Sequence, residues 1–508
     1  MKKIFNLNLK LFVGTLWFGI LWGETPLLAQ NVLSIQNLTM QNSGYARALW
    51  QSNLEIKLNL NTLATQQNKL NFYLTQKDPQ NFVIKNLIST NDDISLPLLS
   101  AQNSFVVLDG KRLKSALSEI IRGPLTLLVT NEHSQLVDKT SLQLAPLLDT
   151  YFFYENELGL IWNNNNPHFV LWAPTASQVR LKIYNSDDSQ ALLVTQNMNY
   201  NQGVWTLEGN PSWKNKFFRY EIVVFHPLSQ KLETFEVTDP YSVGLSLNSS
   251  FSQILNPEDP ELKPPGWNQL QKPALNALTD STIYELHLRD WTAGDPQIPQ
   301  HLRGTFKGLI QEQSISYKYL QQLAQAGLTH VHIMPMADFA TVNEDRNQWK
   351  FLPIQPNTPP YSPFPQGEMD KIKDQDSYNW GYDPVHWLTP EGSYSTQPDG
   401  KNRIYELREM VMALNKMGLR VVQDVVFNHT YENGLTQFSI LDKVVPLYFY
   451  RLDSNGVTHN SSCCADTASE NLMMEKLMLD ALRYWAITFK MDGFRFDLMN
   501  LHTLQNMD

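Results

Sequence analysis

Four short apolar runs punctuate the second half of the chain, and a helix-length pattern separates most of them. "STIYELHLRDW" (281–291), "LTHVHIMPM" (328–336), "LRVVQDVV" (419–426) and "MDGFRFDLM" (491–499) read as strands, the first as a buried run and the third nearly continuous in apolar residues as buried parallel strands are. The stretch "SYKYLQQLAQAG" sets Tyr317, Leu320, Leu323 and Ala324 on one helical face, with Gly327 as the stop. Residues 403–417 place Ile404, Leu407, Met410, Val411 and Leu414 on a stripe closed by Gly418. Thr467 and Glu470 fit a capping box ahead of a helix carrying Leu472, Leu479, Leu482 and Trp485. Repeated βα units of this size require a parallel α/β domain, either a barrel or a doubly wound sheet. The Pro-rich "FLPIQPNTPPYSPFPQGE" (351–368) interrupts the pattern and reads as loop.

Such a unit begins near residue 271 and leaves more than half of the 508 residues for other domains. Residues 31–150 are rich in Asn, Gln, Ser, Thr and Leu, with alternating pieces such as "LEIKLNLN" (54–61), and read as an accessory β domain. Over 151–270, "HFVLWAPTASQVRLKIYNSD" (168–187), "GVWTLEG" and "KFFRYEIVVF" supply strands of a β-sandwich, with Trp172 and Trp205 as core and with Val179, Leu181 and Ile183 alternating against a wet face of Arg180, Lys182 and Tyr184. A Pro-rich linker (256–275) joins it to the α/β part. Residues 1–30 combine N-terminal lysines with an apolar stretch from Leu11 to Trp22, too short for a membrane span and suited to a signal peptide; a secreted or periplasmic protein is expected, with no stable membrane span after cleavage. A formal charge of −10 argues against nucleic-acid or anionic-membrane partners. The two cysteines, Cys463 and Cys464, are adjacent; they provide no disulfide framework and no metal-ligand spacing, and read as small packing residues.

Chemistry concentrates at two strand ends. "VVQDVVFNHT" puts Asp424, Asn428 and His429 at one end and the start of its loop; "DGFRFD" puts Arg495 and Asp497 at the next. If the strands close into a barrel, that C-terminal face is where reactive groups sit. Residues two apart on a strand share a face, so Arg495 and Asp497 are neighbours. A guanidinium favours the ionised form of an adjacent carboxylate, and an ionised, immobilised Asp suits nucleophilic attack on a sugar carbon. The alternative is an ion pair that only satisfies itself.

At these residues the sequence resembles the α-amylase superfamily of retaining glycoside hydrolases (glycoside hydrolase family 13). "DVVFNH" and "GFRFD" look like its first two signatures, and "YNWGYDP" (378–384) is the hallmark of the debranching branch. "YELHLRDWT", "HVHIMPMADFATVNE", "PEGSYS", "LDKVVP" and "CCADTASEN" resemble type I pullulanases and limit dextrinases, and "FVLWAPTA" (169–176) resembles the family 48 carbohydrate-binding module. The resemblance implies a multidomain protein: N-terminal β-sandwich-like domains followed by an incomplete (β/α)8 TIM barrel, its N-terminal half over 271–508. It implies Asp497 as nucleophile, Arg495 orienting it, His429 on the sugar hydroxyls, Asp424 bracing the subsite, Tyr382 as aromatic platform and Asp383 as a supporting carboxylate. Trp380 and Tyr378 are expected to pack around that loop. Phe427 stands where many relatives carry Tyr, and the pattern is not followed beyond Met499.

The implied substrate is a branched α-glucan cleaved at α-1,6 linkages, by a monomer that requires no cofactor; Ca2+ stays open, since several barrel-loop Asp and Asn residues could serve, but none has diagnostic spacing. The family mechanism also needs a Glu after the fifth strand and an Asp after the seventh. Neither is expected among these residues, nor do Glu391 and Glu432 occupy the motif, so the 508 residues are expected to be an incomplete product without turnover of its own. Isoamylases and branching enzymes are a related reading. A non-catalytic glucan-binding protein is the rival from another class.

Overall fold

The computed structural model describes residues 5–7, 46–50, 56–58, 70–75, 117–131, 133, 136–352, 357–373 and 375–508. The apolar stretch of the expected signal peptide and much of the expected accessory domain lie outside the described residues. Among those described, Phe5–Leu7, Ile56–Leu58, Ala48–Trp50, Leu136–Gln143, Thr126–Asn131 and Leu70–Thr75 form, in that spatial order, one six-stranded sheet.

The next unit is a sandwich of two antiparallel sheets. One runs Leu192–Asn197, Ala176–Tyr184, Phe217–His226, Lys231–Val237, with Ser252–Gln253 on the third of these; the other runs Asn199–Asn201, Val204–Glu208, Asn166–Trp172, Gly159–Asn163. Period-two alternation explains the packing: Val179, Leu181 and Ile183 point into the core. Tyr184, expected on the wet face, is buried too, because Phe251 closes over it edge-on at 4.9 Å. Trp172 and Trp205 are core, as expected, and each indole N–H reaches a backbone carbonyl, at Phe152 (2.8 Å) and Ala173 (3.0 Å).

Downstream, Ile283–Leu286, His330–Ile333, Arg420–Val425 and Gly493–Phe496 form a four-stranded sheet, every pair parallel and in sequential order. Helices Ile315–Gln325, Gly400–Lys416 and Leu472–Thr488 make the three crossovers. Ser314 caps the first of these by accepting from the Tyr317 N–H, and Asp399 caps the second through Lys401 and Asn402. Gly327 and Gly418 follow their helices at φ +109° and +91°, a region that glycine enters without a Cβ penalty. In the second helix, Ile404, Leu407, Met410, Val411 and Leu414 are fully buried, each contributing about 1.5–3 kcal/mol.

Several expectations are corrected. The first strand is not buried: Ile283 is 62% exposed, because the strand lies at the sheet's edge and pairs on one side only. The capping box before Leu472 does not form; Thr467 donates to the Phe427 carbonyl and Glu470 pairs with Arg451, while Asn471 at the cap turns its side chain to the Tyr448 carbonyl and not to the helix end. A short helix, Phe364–Met369, stands inside the expected loop. The Pro-rich linker is also no free tether. Leu262 and Trp267 are buried, and Arg408 donates to the Pro257 and Leu262 carbonyls at 2.8 Å each.

The sandwich core runs on into the α/β unit through Val425, Phe427 and the Leu472–Thr488 helix, while Leu286, Val331, Ile333 and Val421 of the parallel sheet belong to a second core. Tyr448 and Phe449 set their rings edge-on to Trp172 at 4.7 and 5.9 Å, and Tyr241 donates to Asp480 at 3.2 Å. Among the described residues no helix is long and apolar enough to cross a membrane.

Candidate functional site

Strand register brings the site together. Asp424 pairs across the parallel ladder with Arg495, and the Asp497 N–H continues it by donating to the Val425 carbonyl at 3.0 Å. Directly after Asp497 the backbone turns at Leu498 with φ +45°, a costly left-handed conformation for a branched residue. The strand therefore ends abruptly and leaves the Asp497 carboxylate at its tip.

Arg495 Nη1 is the hub. It lies 2.9 and 3.0 Å from the two oxygens of Asp424 and 3.0 Å from Asp497 Oδ1. Asp424, with no exposed side-chain surface, also accepts from the Tyr382 hydroxyl at 2.7 Å and lies 3.2 Å from His332 Nε2. Burial, opposed by hydrogen bonding to and the charge of Asp424, leaves the Arg495 guanidinium held above its ordinary range, so it stays a cation. Burial and then the hydrogen bond to Asp424 push the Tyr382 hydroxyl upward, so it stays a donor. Asn428 Nδ2 donates to the Asp497 carbonyl (2.8 Å) and to Oδ2 (3.2 Å), fixing the oxygen that Arg495 does not hold.

His429 is buried beside this cluster. Its Nδ1 meets Asn428 Oδ1, and its Nε2 lies 2.8 Å from the Tyr382 carbonyl. Tyr382 reaches the cluster because Gly381 turns at φ +87°, with the Pro335 carbonyl 2.9 Å from where a Cβ would stand. Asp383 points elsewhere: it accepts from Thr341 (2.9 Å) and Asn379 (2.8 Å) and ties the loop to itself. Trp380 and Tyr378 meet edge-on at 6.3 Å within the loop and remain 53% and 47% exposed. Phe427 packs between Trp387 and Phe496, where a phenol hydroxyl would have apolar neighbours.

Two contacts escaped the sequence reading. His332 sits on the second strand, and the only signal for it was its alternation with Val331 and Ile333 on a run otherwise read as core. Cys463 is not a packing residue: it is exposed, with Sγ 3.7 Å from His429 Nε2. Burial, then the hydrogen bond to Cys463, push the Cys464 thiol up to about 12.

Both alternative glutamates accept hydrogen bonds from backbone N–H groups. Glu391 is fully buried and accepts from the Phe339 and Ser393 N–H groups at 3.1 and 2.7 Å, while Glu432 accepts from Phe438 N–H at 2.7 Å.

Comparison with known proteins agrees with this geometry. The family model for Carbohydrate-binding module 48 (Isoamylase N-terminal domain) matches residues 157–242, inside the sandwich. The sandwich that matches this module packs on a parallel sheet whose strand ends carry Arg-bridged aspartates. The chain is 38% identical over 388 residues to pullulanase 1, chloroplastic, of Arabidopsis thaliana (75% of this chain, 40% of the relative). To the pullulanase of Klebsiella pneumoniae it is 35% identical over 464 residues (82% and 42%). The crystal structure of PulA from Klebsiella oxytoca superposes with a TM-score of 0.79 at 31% identity, covering 91% of this chain and 48% of that one. Over three quarters of its length or more, the chain is similar to pullulanases. It spans about two fifths of the length of these curated relatives, 40% and 42%.

Proposed function

We propose that this chain carries the nucleophile side of a retaining glycoside hydrolase that debranches α-1,6-linked glucans such as pullulan, amylopectin and limit dextrins. One observation carries the reading: a single guanidinium nitrogen bridges Asp424 and Asp497 at the ends of adjacent parallel strands. One carboxylate anchors the arginine in the interior, and the other is held at the tip, its side chain 19% exposed. In this reading an Asp497 oxygen bonds the anomeric carbon as the glycosidic C–O bond breaks, and water later releases the sugar. Tyr382 lies under the ring and His429 faces its hydroxyls. Asp424 braces the subsite through Arg495 and Tyr382, and Asp383 supports the loop that carries Tyr382.

The leaving oxygen needs a proton, and general acid catalysis is typically worth about 10²–10⁴-fold. With Glu391 and Glu432 engaged elsewhere, we place the acid outside the four strands described here. In the same reading these strands are part of a (β/α)8 barrel, the N-terminal stretch directs export, and the protein works as a monomer.

Glucan retention and hydrolysis measured together on the 508-residue chain test the proposal. Branched glucan is expected to retard the chain in affinity electrophoresis without release of reducing ends. Tyr382→Ala is expected to weaken the retardation, and Asp497→Asn to preserve it. Sustained release of reducing ends would overturn the placement of the acid. A mobility indifferent to branched glucan would overturn the reading as a whole.

A further inference from the structure

The loop that closes over the third strand's end brings sulfur to a site otherwise made of oxygen and nitrogen. The ligating atoms of His429, Cys463 and Cys464 all lie within 4.8 Å of one another. Their spacing is informative. A tetrahedral ion with about 2.3 Å to sulfur and about 2.0–2.1 Å to imidazole nitrogen holds those two atoms about 3.6 Å apart. Cys463 Sγ and His429 Nε2 are 3.7 Å apart. On the imidazole's far side Nδ1 meets Asn428 Oδ1, the outer contact that orients a metal-binding histidine and directs its other nitrogen to the ion. Cys463 is exposed, so a cation and a completing water can enter from solvent without opening the core.

Cys464 must move. Its sulfur lies 2.7 Å from that of Cys463, whereas two thiolates on one such ion stand about 3.8 Å apart. Rotating one half-exposed side chain supplies that ~1 Å, since the Cα–Cβ torsion is the only bond that has to turn. Two sulfurs and one nitrogen select thiophilic cations over Ca2+ or Mg2+. The other close group, Asp338, Glu344 and Glu391, is wholly buried and already faces the Arg403 guanidinium, which occupies the place a cation would take.

We propose that His429, Cys463 and Cys464 form a site for one thiophilic divalent cation of the Zn2+ or Cd2+ kind, at the edge of the Asp497 cluster. On binding, each thiol releases its proton to solvent and becomes a thiolate ligand, while His429 shifts the proton that Nε2 donates to the Tyr382 carbonyl to Nδ1, facing Asn428 Oδ1, and presents the freed Nε2 lone pair to the ion. No electron changes hands. The site stands on donor chemistry and spacing and does not depend on the hydrolase reading.

The sequence contains two cysteines in all, so any cadmium–thiolate charge-transfer absorption must arise from this pair. Cd2+ titration of the reduced 508-residue chain is expected to give such a band, saturating at one ion per chain, and Cys463→Ser with Cys464→Ser abolishes it. His429→Gln is expected to weaken the affinity by at least about ten-fold. Should that variant not fold by circular dichroism, the d–d absorption of Co2+ on the unaltered chain reports the ligand set directly, intense and tetrahedral for mixed sulfur and nitrogen. Absence of the charge-transfer band, affinity unchanged in folded His429→Gln, or a weak six-coordinate Co2+ spectrum would each overturn the assignment.

Discussion

Asp424→Asn tests the electrostatic core of the site, because the two side chains have the same shape and differ in charge and in one donor. Asp424 faces three donors: Arg495 Nη1, the Tyr382 hydroxyl and His332 Nε2. All three reach Oδ2 and Arg495 alone also reaches Oδ1, so an asparagine that keeps its oxygen in the Oδ2 place must turn a buried amide N–H toward the Arg495 guanidinium, a donor facing a donor. That alone costs about 1–3 kcal/mol. Losing the charge on the remaining contacts adds about 1 kcal/mol, kept low because Arg495 is 44% exposed and its attraction is screened by solvent. The expected destabilisation is about 2–4 kcal/mol, read as a lower urea midpoint at unchanged slope.

The same geometry predicts coupling. Once Asp424 is Asn, removing the Tyr382 hydroxyl deletes a contact already weakened, so Asp424→Asn and Tyr382→Phe together cost less than their sum by about 0.5–1.5 kcal/mol. Additivity within about 0.3 kcal/mol would show that the 2.7 Å contact carries no energy, and the account of Asp424 as the anchor would fail.

Two more outcomes follow from other parts of the molecule. Burial holds Glu391 and Asp239 up to about 7 and Asp149 and Asp442 up to about 6; their folded values exceed the unfolded ones, so the stability they confer is complete below about pH 4 and is lost as the pH rises to about 7. Burial also holds His226 and His502 down to about 4, which opposes this below about pH 6.5, but two histidines against four carboxylates leave the net slope negative. The urea midpoint is therefore expected to be lower at about pH 7.5 than at about pH 5.5, and a higher one would mean that these carboxylates fold ionised. Gly381→Ala places a Cβ 2.9 Å from the Pro335 carbonyl at positive φ, and is expected to cost about 1–3 kcal/mol and loosen Tyr382, seen as faster tyrosine ring or hydroxyl exchange by NMR; a neutral substitution would show that the turn is not rigid.

Much of the site was legible because its residues lie within two short segments. Arg495 and Asp497 face each other as a period of two requires, and Asp424, Asn428 and His429 share one strand end and the loop that leaves it. Tyr382 entered only through the resemblance of "YNWGYDP", since nothing local in that loop says where its hydroxyl goes. Asp383 shows the limit of that route: the motif is present, yet its carboxylate turns to Thr341 and Asn379. The capping signal at Thr467 failed for a related reason. Its hydroxyl had a better partner in the Phe427 carbonyl, contributed by a strand forty positions earlier.

Local pattern by itself determined the strand–helix alternation, the inward faces of Val179, Leu181 and Ile183, the stripe of the helix at 400–416 and the pairing of Arg495 with Asp497. These depend on periodicity and on neighbours a few residues away, which side-chain chemistry sets directly. Tertiary structure alone decided that one arginine nitrogen serves two aspartates, that His332 joins them, that Cys463 stands at His429 and that the Pro-rich connection is clamped by Arg408. Each of these joins residues tens to more than a hundred positions apart, and only the closed packing of sheet, helices and sandwich puts their atoms within hydrogen-bonding reach.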